Sequence, residues 1–486
     1  MPANADPRPI NATSSRRFFS DAAKIFIGAS LALPTGIVTS GILTRFLGAN
    51  LYGSFSVATS IIVFIELISS QLFTRTTVKF VAEADDWAHV AGVQAWAQLR
   101  VSLLITASLF LTAPLFESAL NSPDLALYVR LLAFDIPIAA LASHQGATLV
   151  GRGSAGSRGT VIASRWISRM IFIILFVSVF QWSITGAILA ILAASYVEFF
   201  VGRRLVRAPL LRFGRSPTNT HGYMLPTLLH TSGIELFRRV DLLVVESNSQ
   251  SGVDAGFYAA AQNLTFSLVL IQVALAPGLL ANLAHLIRAG NREAARSRVA
   301  LVNRFVLCLI PLAAVIAGCS TVIARLIYGQ TFTPAGILLA PLAVGTIGVI
   351  MINVQASIFL ADSKPHWAFG IGVPLMPIAL ISWITLVPIG GALIAALIFA
   401  ALAWVGGIVF MIANLRLWSL PFPSATLIRC LLISIPAYWL TTQLPFEGIF
   451  VAVTLTLGMI FISVALLITG EIPLSVLRKI RIQIPL

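Results

Sequence analysis

The chain has 486 residues, of which 58% are hydrophobic and 10% charged, with a formal net charge of +14 and a mean hydropathy of +0.93. Soluble domains carry about 25% charged residues, so this composition excludes a water-soluble globular domain and leaves a chain whose main solvent is lipid. Apolar runs of about 20 residues recur from end to end, each able to cross a ~30 Å hydrocarbon layer as a helix, and the ~10-residue alternating segments of a membrane barrel are not seen.

In chain order, the polar start "MPANADPRPINATSSRRFFSDAAK" has neither a strongly basic n-region nor a small-residue cleavage site after the first apolar run. It reads as a short tail over 1–22, followed by a membrane helix that is retained. Fourteen spans are predicted, near 25–44, 52–71, 93–115, 125–149, 160–180, 183–202, 222–246, 256–284, 299–324, 333–361, 367–387, 390–414, 426–443 and 448–469. Backbone polar groups in lipid must pair within their own segment, so the spans are expected to be helices. No loop is long enough to fold as a domain.

Basic residues alternate between the loops. Arg8, Arg16, Arg17 and Lys24 lie before helix one, Arg75 and Lys79 after helix two, and Arg152 and Arg158 after helix four. "GRRLVRAPLLRFGR" follows helix six, Arg288 to Arg298 follow helix eight, and Lys364, Arg416 and the final "RKIR" complete the set. The other loops are nearly free of Lys and Arg, Arg45 and Arg325 excepted. The positive-inside rule then puts both termini in the cytoplasm. It also accounts for most of the +14 without nucleic acid.

Two stretches suggest a weak internal repeat. "LGANLYGSFSVATS" (47–60) resembles "GVDAGFYAAAQNLT" (252–265), and "LLAFDIPIAALASHQGATLV" (131–150) resembles "LLAPLAVGTIGVIMINVQAS" (338–357). Six helices per repeat keep both halves in one orientation, a parallel repeat. The fold class expected is an all-α polytopic membrane protein of about 14 helices, with two six-helix bundles and an extra C-terminal pair. The boundaries are an N-lobe at 23–202, a basic linker at 203–221, a C-lobe at 222–415, and the last helix pair with its basic tail at 416–486.

Charges at depth need a reason, because each costs roughly 2.5–3.5 kcal/mol at mid-bilayer. "SGIELFRRVDLLVV" (232–245) holds four: Glu235, Arg238, Arg239 and Asp241. Glu235 with Arg239 (i, i+4) and Arg238 with Asp241 (i, i+3) can pair within the helix. Two readings stand: a salt-bridge girdle between packed helices, or the lining of a hydrated cavity. The first half adds Arg130 and Asp135 on helix four and Arg165 and Arg169 one turn apart on helix five. Secondary candidates are Glu66 on helix two, Arg100 on helix three and Glu198 on helix six. Helices eight to fourteen carry almost no deep charge; Arg304 and Arg429, near their ends, can snorkel. A central, net basic cavity between two bundles fits this distribution, and arginine's planar fork suits phosphate.

Other signals carry little chemistry. "GRGSAG" (151–156) joins two membrane helices rather than a strand and a helix, so it reads as a tight turn and not a dinucleotide site. The histidines show no H-E-x-x-H spacing, and His144 and His230, within membrane spans, read as packing or pore-lining groups. Cys308, Cys319 and Cys430 lie in apolar segments with no metal or disulfide spacing. No cofactor, metal or catalytic residue is expected.

Three further stretches sharpen the picture. "DLLVVESNSQSGVDAGFYAAAQNL", "PGLLANLAHLIRAGNREAARSRV" and "LIYGQTFTPAGILLAPLAV", with "RFLGANLYGSF" earlier, resemble the helix-seven-to-ten region and first outer turn of polysaccharide-export flippases. These form the Wzx-like branch of the multidrug/oligosaccharidyl-lipid/polysaccharide exporter superfamily. The likeness runs over most of the chain and is strongest at 233–360. It implies two six-helix lobes around a cavity, and an undecaprenyl-diphosphate-linked oligosaccharide as substrate. It also implies alternating access in the bacterial inner membrane for surface polysaccharide biosynthesis. Only Asp241 and Arg238 match the family's polar helix-seven position. The partners implied are the lipid-linked oligosaccharide, membrane lipids and other polysaccharide assembly proteins.

Two alternatives stay open. A drug/cation antiporter of the same superfamily would favour acids on helix one, and "IFIGASLALPTGIVTSGILT" has none. A membrane enzyme of glycan assembly would be expected to carry a substantial outer loop, and every outer loop here is short.

Overall fold

The computed structural model describes residues 24–25, 27–207, 212, 221–249, 252–362, 364–444 and 450–471. Among them the regular structure is helical, with no strand. In chain order the helices are α1 (Ala32–Glu83), α2 (Trp87–Leu120), α3 (Leu125–Ala133), α4 (Asp135–Gly151), α5 (Ala155–Ile173) and α6 (Ser183–Val206). They continue with α7 (His221–Asn248), α8 (Val253–Arg288), α9 (Arg292–Leu307), α10 (Ile310–Gly318), α11 (Ser320–Tyr328), α12 (Thr333–Ala361), α13 (Pro365–Leu417), α14 (Ser424–Gln443) and α15 (Val451–Ile468). Among the described residues ten helical stretches are long and apolar enough to cross a membrane, and the chain is a multi-pass membrane protein.

Two of the helices are twice the length that a bilayer needs, and each is broken once. Gly48 in α1 (φ 71°, ψ 175°) and Gly391 in α13 (φ 63°, ψ −155°) leave the helical region. Only glycine reaches such angles without a Cβ clash. The sequence reading therefore divides each of these stretches into two spans. "GRGSAG" is the turn between α4 and α5, with Gly153 at φ 74°.

The chain forms two compact units. Of the described residues, the first comprises those within 24–39, 65–113 and 127–221, and the second those within 40–64, 114–126 and 222–471. In the first, α4, α5 and α6 pack on one another, and Leu149, Val161 and Val206 form a small shared core.

In the second unit α12 is the central helix. Leu339, Ala343, Ile347, Ile350, Met351 and Val354 are all buried, and it packs against α8, α9, α10 and α13. A helix apolar all round belongs inside a large bundle. Lipid tails are as apolar as leucine, so burial alone does not bring such helices together; close packing does. A Cβ on Gly348 would lie 2.7 Å from the Ala403 carbonyl carbon of α13. The α12–α13 crossing therefore depends on glycine at that position.

Polar groups inside the second unit are mostly neutral and paired. Gln355 donates through Nε2 to Asn303 Oδ1, and Asn414 Nδ2 donates to the Gln355 carbonyl (3.0 Å) and Oε1 (2.9 Å). All three residues are at most 1% exposed, and they tie α9, α12 and α13 together. The snorkelling expected of Arg304 and Arg429 is replaced by a clasp. Arg304 donates from Nε (3.2 Å) and Nη2 (2.8 Å) to Glu471 Oε2, and Arg429 Nη1 donates to Glu471 Oε1 at 2.8 Å. Thr426 adds a third donor at 2.9 Å. Glu471 stands just beyond α15, so the clasp joins the ends of three helices.

Candidate functional site

The first unit contains a cavity of about 170 Å³. Three helices supply the charged side chains that line it, and a fourth, α4, brings Asp135 beside them. Pro137 has no N–H, so the Ala133 carbonyl one turn earlier loses its donor. Thr106 Oγ1 of α2 supplies the missing hydrogen bond at 3.1 Å. The chain breaks there between α3 and α4, and Asp135 becomes the first residue of α4, only 1% exposed. Arg158 and Arg165 face the cavity from α5, Glu66 from α1 and Glu198 from α6. Ser69, Ser70 and Ser143 add hydroxyls, and Ala139, Ala142 and Gly146 leave the volume open.

Arg165 is the centre of the arrangement. Its Nη1 donates to Glu198 Oε2 at 3.1 Å. Its Nη2 lies 3.7 Å from Asp135 Oδ2 and 3.8 Å from Glu66 Oε2. The last two contacts are ion pairs at more than hydrogen-bond distance. Arg158 lies within electrostatic reach of Glu198, and Arg169 within reach of Asp135. Asp135 Oδ1 has no hydrogen-bond partner. Removing one member of a buried ion pair strands the others and typically costs about 3–5 kcal/mol. The constellation is thus strongly interdependent.

This cavity lies within the first unit and is mixed in charge, whereas the sequence reading expects a central, net basic one between the two bundles. Arg165 and Arg169 lie on one helix without an acid between them, but other helices bring three carboxylates to the same place. Glu66 and Glu198, secondary in the sequence reading, stand beside Arg165 at the centre. Arg130 lies elsewhere: its Nε donates to the Phe110 carbonyl at 3.2 Å and its guanidinium sits over the Phe110 ring. Arg100 is exposed and lies over Trp96.

The helix-seven charges have a different setting. Asp241 is fully buried. Its carboxylate accepts from Tyr258 Oη at 2.7 Å, Gln262 Nε2 at 2.9 Å and the Leu242 N–H at 2.7 Å. Tyr258 and Gln262 are spaced i, i+4 on α8, so one face of the neighbouring helix supplies both side-chain donors. Sequence reasoning missed them, although that spacing beside a deep acid was a usable signal. Arg238 and Arg239 are half-buried on α7, and the Arg238 carbonyl accepts a long bond of 3.4 Å from Gln262. The side chain of Glu235 lies outside the described residues, as does that of His230. His144 is buried, within hydrogen-bond distance of Thr77 and Thr148.

Among the described residues no group of three or more His, Cys, Asp or Glu side chains is arranged to hold a metal ion. What the cavity offers instead is guanidinium and carboxylate side by side, surrounded by apolar helix. Such an arrangement is chemically suited to ionised or strongly polar groups, or to proton exchange.

The fold is that of known membrane transporters. The lipid II flippase MurJ in an inward closed conformation superposes with a TM-score of 0.73 at 12% identity, over 92% of this chain and 98% of that one. An inward-facing multidrug resistance MATE family transporter of the MOP superfamily gives 0.66 at 14% identity, over 79% and 94%. A MOP superfamily transporter from Pyrococcus furiosus gives 0.59 at 14% identity, over 83% and 96%. No curated relative matches the sequence. Residues 20–283 match the family described as "Polysaccharide biosynthesis protein". That match covers more than half of the chain, which therefore belongs to the polysaccharide biosynthesis protein family.

Proposed function

We propose that this protein is a flippase that moves an undecaprenyl-diphosphate-linked oligosaccharide across the bacterial inner membrane by alternating access, for surface polysaccharide biosynthesis. The observation that carries this reading is the charged cavity of the first unit, set within apolar helices of a family defined by polysaccharide biosynthesis. A diphosphate and its sugars need cations, hydroxyls and a wet path, whereas the lipid tail can remain in the bilayer. Arg158, Arg165 and the serines of the cavity wall are of the kind required. Asp241, Arg238 and Arg239 on α7 are the second unit's contribution, and membrane lipids and other polysaccharide assembly proteins are the surroundings. The protein works as a transporter rather than an enzyme, with both termini in the cytoplasm and the 203–221 segment linking two lobes.

A second reading is favoured by one observation. Three carboxylates around Arg165 would also suit a drug/cation antiporter. Reconstituted vesicles separate the two. A labelled polyprenyl-diphosphate oligosaccharide is expected to become accessible to a membrane-impermeant lectin only when the protein is present. Uptake of a lipophilic cation without glycolipid translocation would favour the antiporter. For orientation, a reporter after Leu486 is expected to act as a cytoplasmic one, and tags near Asn121 and Gln250 to be reachable from outside. External labelling of 203–215 would reverse that assignment.

A further inference from the structure

Acidic and basic side chains alternate around the first-unit cavity. Glu66 from α1, Asp135 from α4 and Glu198 from α6 face Arg165 of α5. On the same helix, Arg158 lies within reach of Glu198, and Arg169 within reach of Asp135. Of these, Glu66, Glu198, Arg158 and Arg165 line the cavity itself, and its other lining side chains are serines and small or apolar groups.

An anion entering this cavity meets an Arg165 already in contact with three acidic side chains. It can bond Arg165 only by displacing a carboxylate. The geometry shows which contacts give way first, because Nη2 holds Glu66 and Asp135 at 3.8 and 3.7 Å, without a hydrogen bond, whereas Nη1 is bonded to Glu198. The Nη2 edge thus retains donor capacity for a phosphate oxygen, the kind of contact a guanidinium makes well. A displaced carboxylate, still buried and now without its cation, neutralises by taking up a proton rather than keeping its charge.

We infer that Arg165 exchanges its carboxylate partners for the phosphate groups of the substrate head group, and that Glu66, Asp135 or Glu198 takes up a proton as the anion enters. This rests on the glycolipid reading above and adds a moving proton to it. The carboxylates act as an internal stand-in for the diphosphate: they keep the arginines paired when no substrate is present and leave on protonation. Binding of an anionic head group therefore tightens as pH falls, by about tenfold per pH unit for each proton taken up.

The test is calorimetric titration of the purified full-length chain with a short-chain polyprenyl diphosphate linked to a single hexose. That diester stays fully ionised at neutral and mildly acidic pH. Titration in two buffers of different ionisation enthalpy yields the protons taken up per ligand. The expected result is net uptake near one proton, with affinity rising about tenfold per pH unit on acidification. Glu66→Gln and Asp135→Asn are expected to reduce the uptake and flatten the pH dependence. If neither variant folds, the two-buffer measurement on the unaltered chain still decides. Binding with no proton uptake and no pH dependence overturns the exchange and leaves the glycolipid reading standing. Absence of glycolipid binding, with proton release on addition of tetraphenylphosphonium, overturns both.

Discussion

The two units meet the same apolar solvent and bury their polar groups in different ways. The first gathers opposite charges around a cavity, with Arg165 shared among Glu66, Asp135 and Glu198. The second holds Asp241 with neutral donors, Tyr258 and Gln262, and joins its helices through the amides of Asn303, Gln355 and Asn414. A neutral hydrogen bond is made once and stays made. An ion-pair cluster answers to any new charge or proton that reaches it. The first unit is thus built to respond and the second to hold, and mutations should show that contrast.

The largest effect is expected from Arg165→Ala. It leaves three carboxylates, two of them at least 92% buried, short of their shared cation. The loss should approach the roughly 3–5 kcal/mol of a broken buried pair, seen as reduced membrane abundance and a lower Tm in detergent. Adding Glu198→Gln to Arg165→Ala is expected to recover part of the Tm; no recovery would mean that the arginine acts by packing alone. Gln355→Leu comes next. It strands buried partners on Asn303 and Asn414, worth about 1–3 kcal/mol each, and the Tm drop is expected to be the same at pH 6 and pH 8. A pH-dependent loss there would erase the contrast between the units.

Smaller still is Glu471→Gln, about 1 kcal/mol or less, because Arg304 and Arg429 are nearly half exposed and screened by solvent. Its signature lies in acid. Burial pushes the Glu471 carboxyl up, but the bonds from Arg304, Arg429 and Thr426 outweigh it and hold the group below its ordinary 4.5. Its contribution is therefore complete above pH 4.5 and fades as pH falls through the lower folded-state value. The variant should lose stability at neutral pH and show a shallower decline below pH 4.5, as followed by thermal unfolding across pH.

Much of the architecture was legible because the solvent is lipid. An apolar run of about 20 residues has few structural options, and predicted spans such as 93–115, 183–202 and 333–361 fall within α2, α6 and α12. The candidate site was legible only as separate charges. Glu66, Asp135, Arg165 and Glu198 each stood out at depth, but they come from four helices, and hydrophobic periodicity does not say which helix faces meet. The amide network was missed because Asn303, Gln355 and Asn414 carry no charge to mark them against their neighbours. Glu471 was missed because it stands just past the last apolar run.

The Glu471 clasp also bears on the order in which the chain is made. Arg304 leaves the ribosome 167 residues before its partner, and Arg429 leaves 42 residues before it. Until Glu471 emerges, both guanidinium groups must be served by water or lipid phosphate at the membrane surface. A chain arrested after α15 but short of residue 471 would present the same apolar helices with two unmet cations at their ends. The two ion pairs that link these helix ends thus wait on a single late carboxylate.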